Sequence, residues 1–237
     1  LSEKLRDKLT HCAITLAKKA QYKNVGTFEF LVDAEQMTSD PDNAFFAFIE
    51  ANPRLQVEHT VTEAITGLDL VQLQIAIATG SKLDEIGLAQ APDITGYAIE
   101  CRINMETLAT KAFFKPSGGE LTFYSPPSGP GVRVDGFGYS GYQTSTRYDS
   151  LLAKLIVHAP TRRAALRRLD TALSNLIALG VTTNIGFLRD VAAHQAFTTG
   201  SVTTDFLDSS DISGFSHTKV EPAVLVAVAC AAQRLGL

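Results

Sequence analysis

Glu50, Asn52, Arg54, Gln56 and Glu58 recur at every second position of one short stretch, and each can do chemistry. Residues two apart on an extended backbone point the same way. One face of this stretch would then carry two carboxylates, two amides and a guanidinium. Glu29 sits on an earlier stretch with strand character, facing away from Phe28 and Phe30. Glu29 and Glu50 on neighbouring strands, with Asn52 beyond, make an oxygen-rich set suited to Mg2+ or Mn2+, ions usually shared with substrate phosphates. Two solvated surface acids are the plainer alternative. Arg54 can grip a planar oxyanion with two parallel hydrogen bonds. Glu58 beside that grip could take a proton from the bound anion. Together they read as a small-oxyanion site with its own base. The competing reading is a surface Arg–Glu pair contributing about 0–1 kcal/mol.

These groups need elements to hold them. Gly26 to Val32 predicts one strand and Ala44 to Glu50 another, forming a hairpin across a turn-rich insert at Met37 to Asn43. Pro53 has no amide hydrogen, so the chain should leave the sheet there as a loop. The parity of His59 turns it away from the polar face, so it reads as structural or as a support for the residues of that face. Thr60 to Glu63 fits a capping box opening a short helix that Gly67 ends. Asp69 caps a second helix running to Ala78, with Gly80 past its end. Upstream, Leu5, Leu9, Cys12, Leu16 and their neighbours predict an amphipathic helix over residues 3 to about 20, with Ser2 as N-cap.

Residues 81 to 94 form a polar connection and a domain boundary. The middle is β-rich: Gly96 to Asn104, Gly119 to Tyr124, Gly131 to Asp135 and Leu151 to His158. Glu100, Arg102 and Asn104 share one strand face, the wall of a cleft or a solvated surface. Thr161 caps a helix striped with Leu166, Leu169, Leu173, Leu176 and Ile177 before Gly180. Asn184 or Thr183 opens another helix through Phe187, Val191 and Ala192. Residues 209 to 220 read as a linker, and Pro222 starts an Ala- and Val-rich helix. Gly118–Gly119 and Gly136 to Gly141 lack the Lys-Ser/Thr ending of a phosphate loop and read as turns. Arg162, Arg163, Arg167 and Arg168 read as the wet face of a helix.

Composition narrows the class. The chain has 237 residues, enough for one large or two modest domains with a real core. A net charge of −4 gives no basic field for nucleic acid. No apolar run reaches the roughly 18 residues that span a bilayer. Cys12, Cys101 and Cys230 lack metal or redox spacing and read as reduced thiols of an intracellular protein.

The chain resembles the carboxyl-terminal half of a biotin carboxylase, the ATP-grasp component of acyl-CoA, acetyl-CoA and pyruvate carboxylases. The resemblance rests on Val25-Gly26-Thr27-Phe28-Glu29-Phe30-Leu31 and on Phe48-Ile49-Glu50-Ala51-Asn52-Pro53-Arg54-Leu55-Gln56-Val57-Glu58-His59. It continues through Glu100-Cys101-Arg102-Ile103-Asn104, Pro116-Ser117-Gly118-Gly119, Gly131-Val132-Arg133 and Tyr148 to Leu155, in family order to about residue 208. It implies an α+β fold: the second half of an ATP-grasp domain over 1–82, then the biotin carboxylase C-terminal domain, antiparallel sheet plus helices, over 83–208. Residues 209–237 would lead to a further region. It also implies that Glu29, Glu50 and Asn52 bind the Mg2+ or Mn2+ bridging ATP phosphates. Arg54, Gln56 and the Val57 amide would hold bicarbonate, Glu58 would be the base, and Arg102 would stabilise the biotin enolate. The reaction implied is ATP- and bicarbonate-dependent carboxylation of the biotin ureido nitrogen through carboxyphosphate.

Implied partners are a biotin carboxyl carrier domain, a carboxyltransferase and a second copy of the chain through the C-terminal domain, with no nucleic acid or membrane. The implied compartment is the cytoplasm, or the mitochondrial matrix in a eukaryote. The Gly-rich lid loop and phosphate-binding lysines of the family lie in its amino-terminal half, which has no counterpart in these residues. This chain alone is therefore expected to turn over little, to belong to a longer polypeptide, and to expose an apolar flank over residues 1 to 80. A non-catalytic dimerisation fragment and another ATP-grasp ligase, such as carbamoyl-phosphate synthase, are the alternatives.

Overall fold

The computed structural model describes residues 1–110, 113–209 and 212. The chain divides into two compact units, Leu1–Glu100 with Ile156–Ala165 and Cys101–Leu155 with Leu166 onward. The expected linker and terminal helix beyond 209 lie, apart from residue 212, outside the described residues, as does Cys230.

The first unit opens with α1 (Glu3–Lys19), capped as expected by Ser2, whose hydroxyl accepts from the Leu5 amide. Strands β1 (Thr27–Val32) and β2 (Phe46–Asn52) form an antiparallel ribbon. The segment joining them is not simply turn-rich. It contains helix α2 (Ala34–Ser39), because the Asp33 carboxylate accepts from the Glu35 and Gln36 amides. The ribbon's apolar flank is open: Leu31, Phe45, Phe48 and Ile49 are 51%, 64%, 46% and 48% exposed. Helix α3 (His59–Thr66) ends on Gly67 at φ 72°, and Asp69 caps α4 (Leu70–Ala78) through the Gln72 amide. The expected capping box at α3 is absent. Glu58 is the N-cap and makes no side-chain cap bond, while buried Thr60 donates to the Glu100 carboxylate.

The division between units falls inside β3 (Tyr97–Asn104) and a later strand. The chain then forms β4 (Glu106–Thr110) and β5 (Phe113–Pro116), a hairpin the sequence reading did not assign. The expected strand at Gly119 to Tyr124 splits into β6 (Glu120–Leu121) and β7 (Phe123–Ser125). Strand β8 (Val132–Gly136), short β9 (Tyr142–Gln143) and β10 (Leu151–Ala159) follow, and β3, β10 and β8 hydrogen-bond in that order. Strand β6 pairs with β9. Gly119 lies in the connection between β5 and β6, its amide donating to the Thr144 hydroxyl, and Gly136, read as part of a turn, closes strand β8 instead.

Helix α5 (Arg162–Asn175) stops before the end of its expected stripe. Leu169, Leu173 and Leu176 are buried, but Ile177 is 41% exposed and starts β11 (Ile177–Leu179), which pairs with β7. Arg163 and Arg167 are exposed as expected, whereas Arg162 and Arg168 are half-buried. Gly180 has φ +94°, and a Cβ there would lie 1.9 Å from the Glu120 carbonyl oxygen, so only glycine fits the turn leaving β11. Helices α6 (Ile185–Ala193), α7 (Gln195–Thr199) and α8 (Phe206–Ser209) complete the described chain.

In the second unit Ile103, Met105, Leu121, Leu152, Leu155, Leu169 and Leu173 are fully buried. The Tyr124 hydroxyl is buried there without a hydrogen-bond partner among the described residues, and burial pushes its pKa up. Among the described residues no single helix is long and apolar enough to cross a membrane.

Candidate active site

The ribbon sets up the first half of the site. Glu29 stands opposite Glu50, and Thr27 opposite Asn52. The register shifts between Glu29 and Phe30, so that Phe30 pairs with Phe48 and Ile49 is left without an opposite number. Phe30 then packs edge-on against both Phe46 and Phe48, with ring centroids 5.9 and 5.8 Å away. Asn52 Nδ2 donates to Glu29 Oε1 and to Glu50 Oε1, each at 2.9 Å. Two acids that would repel one another are thus held together by one amide.

Beyond Asn52 the extended alternation stops. The Arg54 amide donates to the Asn52 carbonyl at 2.8 Å, and the His59 amide to the Gln56 carbonyl at 3.3 Å, both tight turns. Arg54, Gln56 and Glu58 therefore do not share a strand face. They converge because the loop folds back on itself. All three line one open cavity of about 430 Å³, together with Gly26, Thr27 and Thr62. Thr27 is the ribbon partner of Asn52, whereas Glu29, Glu50 and Asn52 are not themselves among the lining residues. Val57 lies in the same turn but is not among the lining residues.

His59 is not turned away from these residues but contacts one of them. It lines the same cavity, its Nδ1 donates to the Gln56 carbonyl at 2.7 Å, and its Nε2 lies 4.0 Å from Glu63 Oε1. Gln56 Oε1 is buried with no partner among the described residues. Such an orphan acceptor is costly unless something donates to it. Glu63 is occupied by the fold, its carboxylate accepting from the Leu70 amide at 2.8 Å.

Arg102 belongs to the second unit. Its side chain is exposed on β3 between buried Cys101 and Ile103, as the alternation with Glu100 and Asn104 requires. Sequence reasoning missed Thr60, whose partner is 40 positions away, and Asn184, whose partners are 80 and 82 positions away.

The donor set admits a divalent cation. Two carboxylates meet at one amide, and turning that amide over would offer its oxygen in place of its N–H groups. Among the described residues no three His, Cys, Asp or Glu side chains converge as a metal cluster, so any ion here would need ligands beyond these acids.

Two segments match known families. Residues 1–86 match the ATP-binding domain of the carbamoyl-phosphate synthase large chain, and residues 100–209 match the biotin carboxylase C-terminal domain. The chain is thus of the ATP-grasp class, in the order acid-bearing ribbon then C-terminal domain. It is 39% identical over 215 residues to biotin carboxylase 1 of Bacillus subtilis (strain 168), an alignment covering 90% of this chain and 45% of that protein. Among solved structures it is similar to a single-chain, multi-domain long-chain acyl-CoA carboxylase, with TM-score 0.80 and 46% identity over 87% of this chain and 22% of that one.

It is also similar to the biotin carboxylase domain of Hydrogenobacter thermophilus 2-oxoglutarate carboxylase. That structure holds MgADP, ADP and bicarbonate; the TM-score is 0.76 and identity 38%, covering 88% of this chain and 43% of that one. The chain belongs to the biotin carboxylase family and spans less than half the length of these relatives.

Proposed function

We propose that these residues serve ATP- and bicarbonate-dependent carboxylation of the biotin ureido nitrogen, within a biotin-dependent acyl-CoA carboxylase. The observation that carries the reading is the convergence of Arg54, Gln56 and Glu58 on one cavity, in the loop that directly follows the Glu29–Asn52–Glu50 cluster of the ribbon. Arg54 would grip the planar anion and the Gln56 side chain would help hold it, leaving the single O–H of bicarbonate directed at Glu58. The Val57 amide would add a donor. Glu58 would take that proton, leaving an anion able to attack the γ-phosphate of ATP and form carboxyphosphate. Glu29, Glu50 and Asn52 would hold Mg2+ or Mn2+, which when bound offsets phosphate charge. Arg102 would stabilise the negative charge that develops on the biotin ureido oxygen.

The domain limits proposed are 1–82 for the ATP-grasp portion and 83–208 for the C-terminal domain. The carrier domain, the carboxyltransferase, a homodimer through residues 96 to 160 and an intracellular compartment belong to the same proposal. So does slight turnover by this chain in isolation.

The test is biotin-dependent ATP cleavage by the native polypeptide containing these residues. Glu58→Gln and Arg54→Ala are each expected to lower it by about a hundredfold or more. Wild-type rates in both variants would remove the assignment.

A further inference from the structure

Asn184 stands at the N-cap of α6 but does not cap it. Asparagine is a preferred cap because its side-chain oxygen can accept from the first free amides of a helix. Here that oxygen is used elsewhere. Asn184 Oδ1 accepts from the Asn104 amide at 2.9 Å, Nδ2 donates to the Arg102 carbonyl at 3.0 Å, and the Asn184 amide donates to the Asn104 carbonyl at 3.1 Å. The residue is only 6% exposed. Strand β3 is an outer strand in the order β3, β10, β8. A single side chain therefore gives the outer edge of β3 the bonds that a neighbouring strand would otherwise give, and it does so on both sides of Ile103.

Asn184 is itself anchored. The Thr122 amide donates to the Leu179 carbonyl at 3.0 Å, and the Ser117 hydroxyl to the Thr182 carbonyl at 3.0 Å. Between them, Gly180 fits against the Glu120 carbonyl where no side chain could. The loop from 179 to 184 is thus fixed at three points before it reaches β3. An exposed arginine on an unsupported sheet edge would move with its backbone, and charge stabilisation demands placement to a fraction of an ångström.

We infer that Asn184 is the positioning residue for Arg102. It locks the Arg102–Asn104 backbone so that the guanidinium is held ready for the charge developing on its ligand. The inference rests on the reading of Arg102 given above. The chemistry demands a side chain that donates and accepts at once. Aspartate would set a carboxylate against the Arg102 carbonyl, and alanine would leave both edge groups unbonded.

The test is a double-mutant cycle in the native polypeptide, measuring ATP cleavage with and without free biotin for Arg102→Ala, Asn184→Ala, Asn184→Asp and Arg102→Ala/Asn184→Ala. Asn184→Ala and Asn184→Asp are expected to lower the biotin-dependent rate about tenfold, short of the roughly hundredfold that an ångström of misplacement can cost. The double variant should fall within about twofold of Arg102→Ala alone, since the two residues act as one unit. Amide exchange at Asn104 should accelerate in Asn184→Ala, which removes the acceptor of that amide, and this is read even where the variant is poorly active.

A fall in biotin-free and biotin-dependent cleavage in the same proportion, or additive losses in the double variant, means a general structural role and overturns the inference. If Arg102→Ala is impaired while Asn184→Ala and Asn184→Asp are not, the inference alone fails. An unimpaired Arg102→Ala removes the role of Arg102, and the inference with it.

Discussion

Asn52 is the most informative residue to perturb, because it holds two like charges together. Asn52→Ala deletes two N–H donors, each 2.9 Å from a carboxylate oxygen. The bond to Glu29 is half-buried and that to Glu50 is exposed. A hydrogen bond to a charged group contributes about 1.5–3 kcal/mol when sheltered, and the exposed one about 0.5 kcal/mol after screening. The expected loss is therefore about 2 kcal/mol, with the unmasked repulsion between Glu29 and Glu50 adding a few tenths at physiological salt. A divalent cation can replace the lost amide. At ten times its dissociation constant, Mg2+ would return about 1.4 kcal/mol by mass action.

The assay is urea unfolding of this chain followed by far-ultraviolet circular dichroism, with MgCl2 against NaCl at matched ionic strength. Mg2+ should stabilise the variant measurably more than NaCl does. A loss under about 0.5 kcal/mol, with no difference between the two salts, would refute the view that these carboxylates form one cation-seeking cluster.

Two further outcomes follow from single buried hydroxyls. Thr60→Val keeps the shape of a fully buried side chain but deletes its bond to the Glu100 carboxylate, so thermal unfolding should register a loss of about 1.5–3 kcal/mol. The Tyr124 hydroxyl is buried and its pKa is raised by burial, so the unfolded chain gives up this proton first and stability falls as pH climbs above about 10. Tyr124→Phe should match or exceed the wild type by up to about 1 kcal/mol at pH 8. Its advantage in urea midpoint should widen between pH 9 and 11, and a constant difference across that range would contradict the assignment.

What could be read from the chain in advance was mostly its punctuation. Ser2, Gly67, Asp69 and Thr161 act locally, and each does in the fold what its chemistry suggests. The polar set from Glu50 to Glu58 was also legible, although its convergence arises from turns after Pro53 rather than from strand parity. The failures are long-range or ambiguous. Thr38, Ser39, Asp40 and Pro41 suggest a turn, yet Asp33 had already started a helix through its cap. Thr60 and Asn184 both look like helix caps, and both spend their side chains on β3 instead. Nothing within a few residues of either reveals that competition, because the winning partner comes from another part of the chain.

The unpaired Ile49 makes the count of residues in β2 as decisive as their kinds. In an uninterrupted strand Phe48 and Glu50, two apart, would share a side. With one supernumerary residue between them, the aromatic is matched to an aromatic and the acid to an acid. Point substitutions along this ribbon alter one rung at a time. Losing or gaining a single codon there would put every rung on one side of the change out of step, so this stretch should tolerate exchange far better than insertion or deletion.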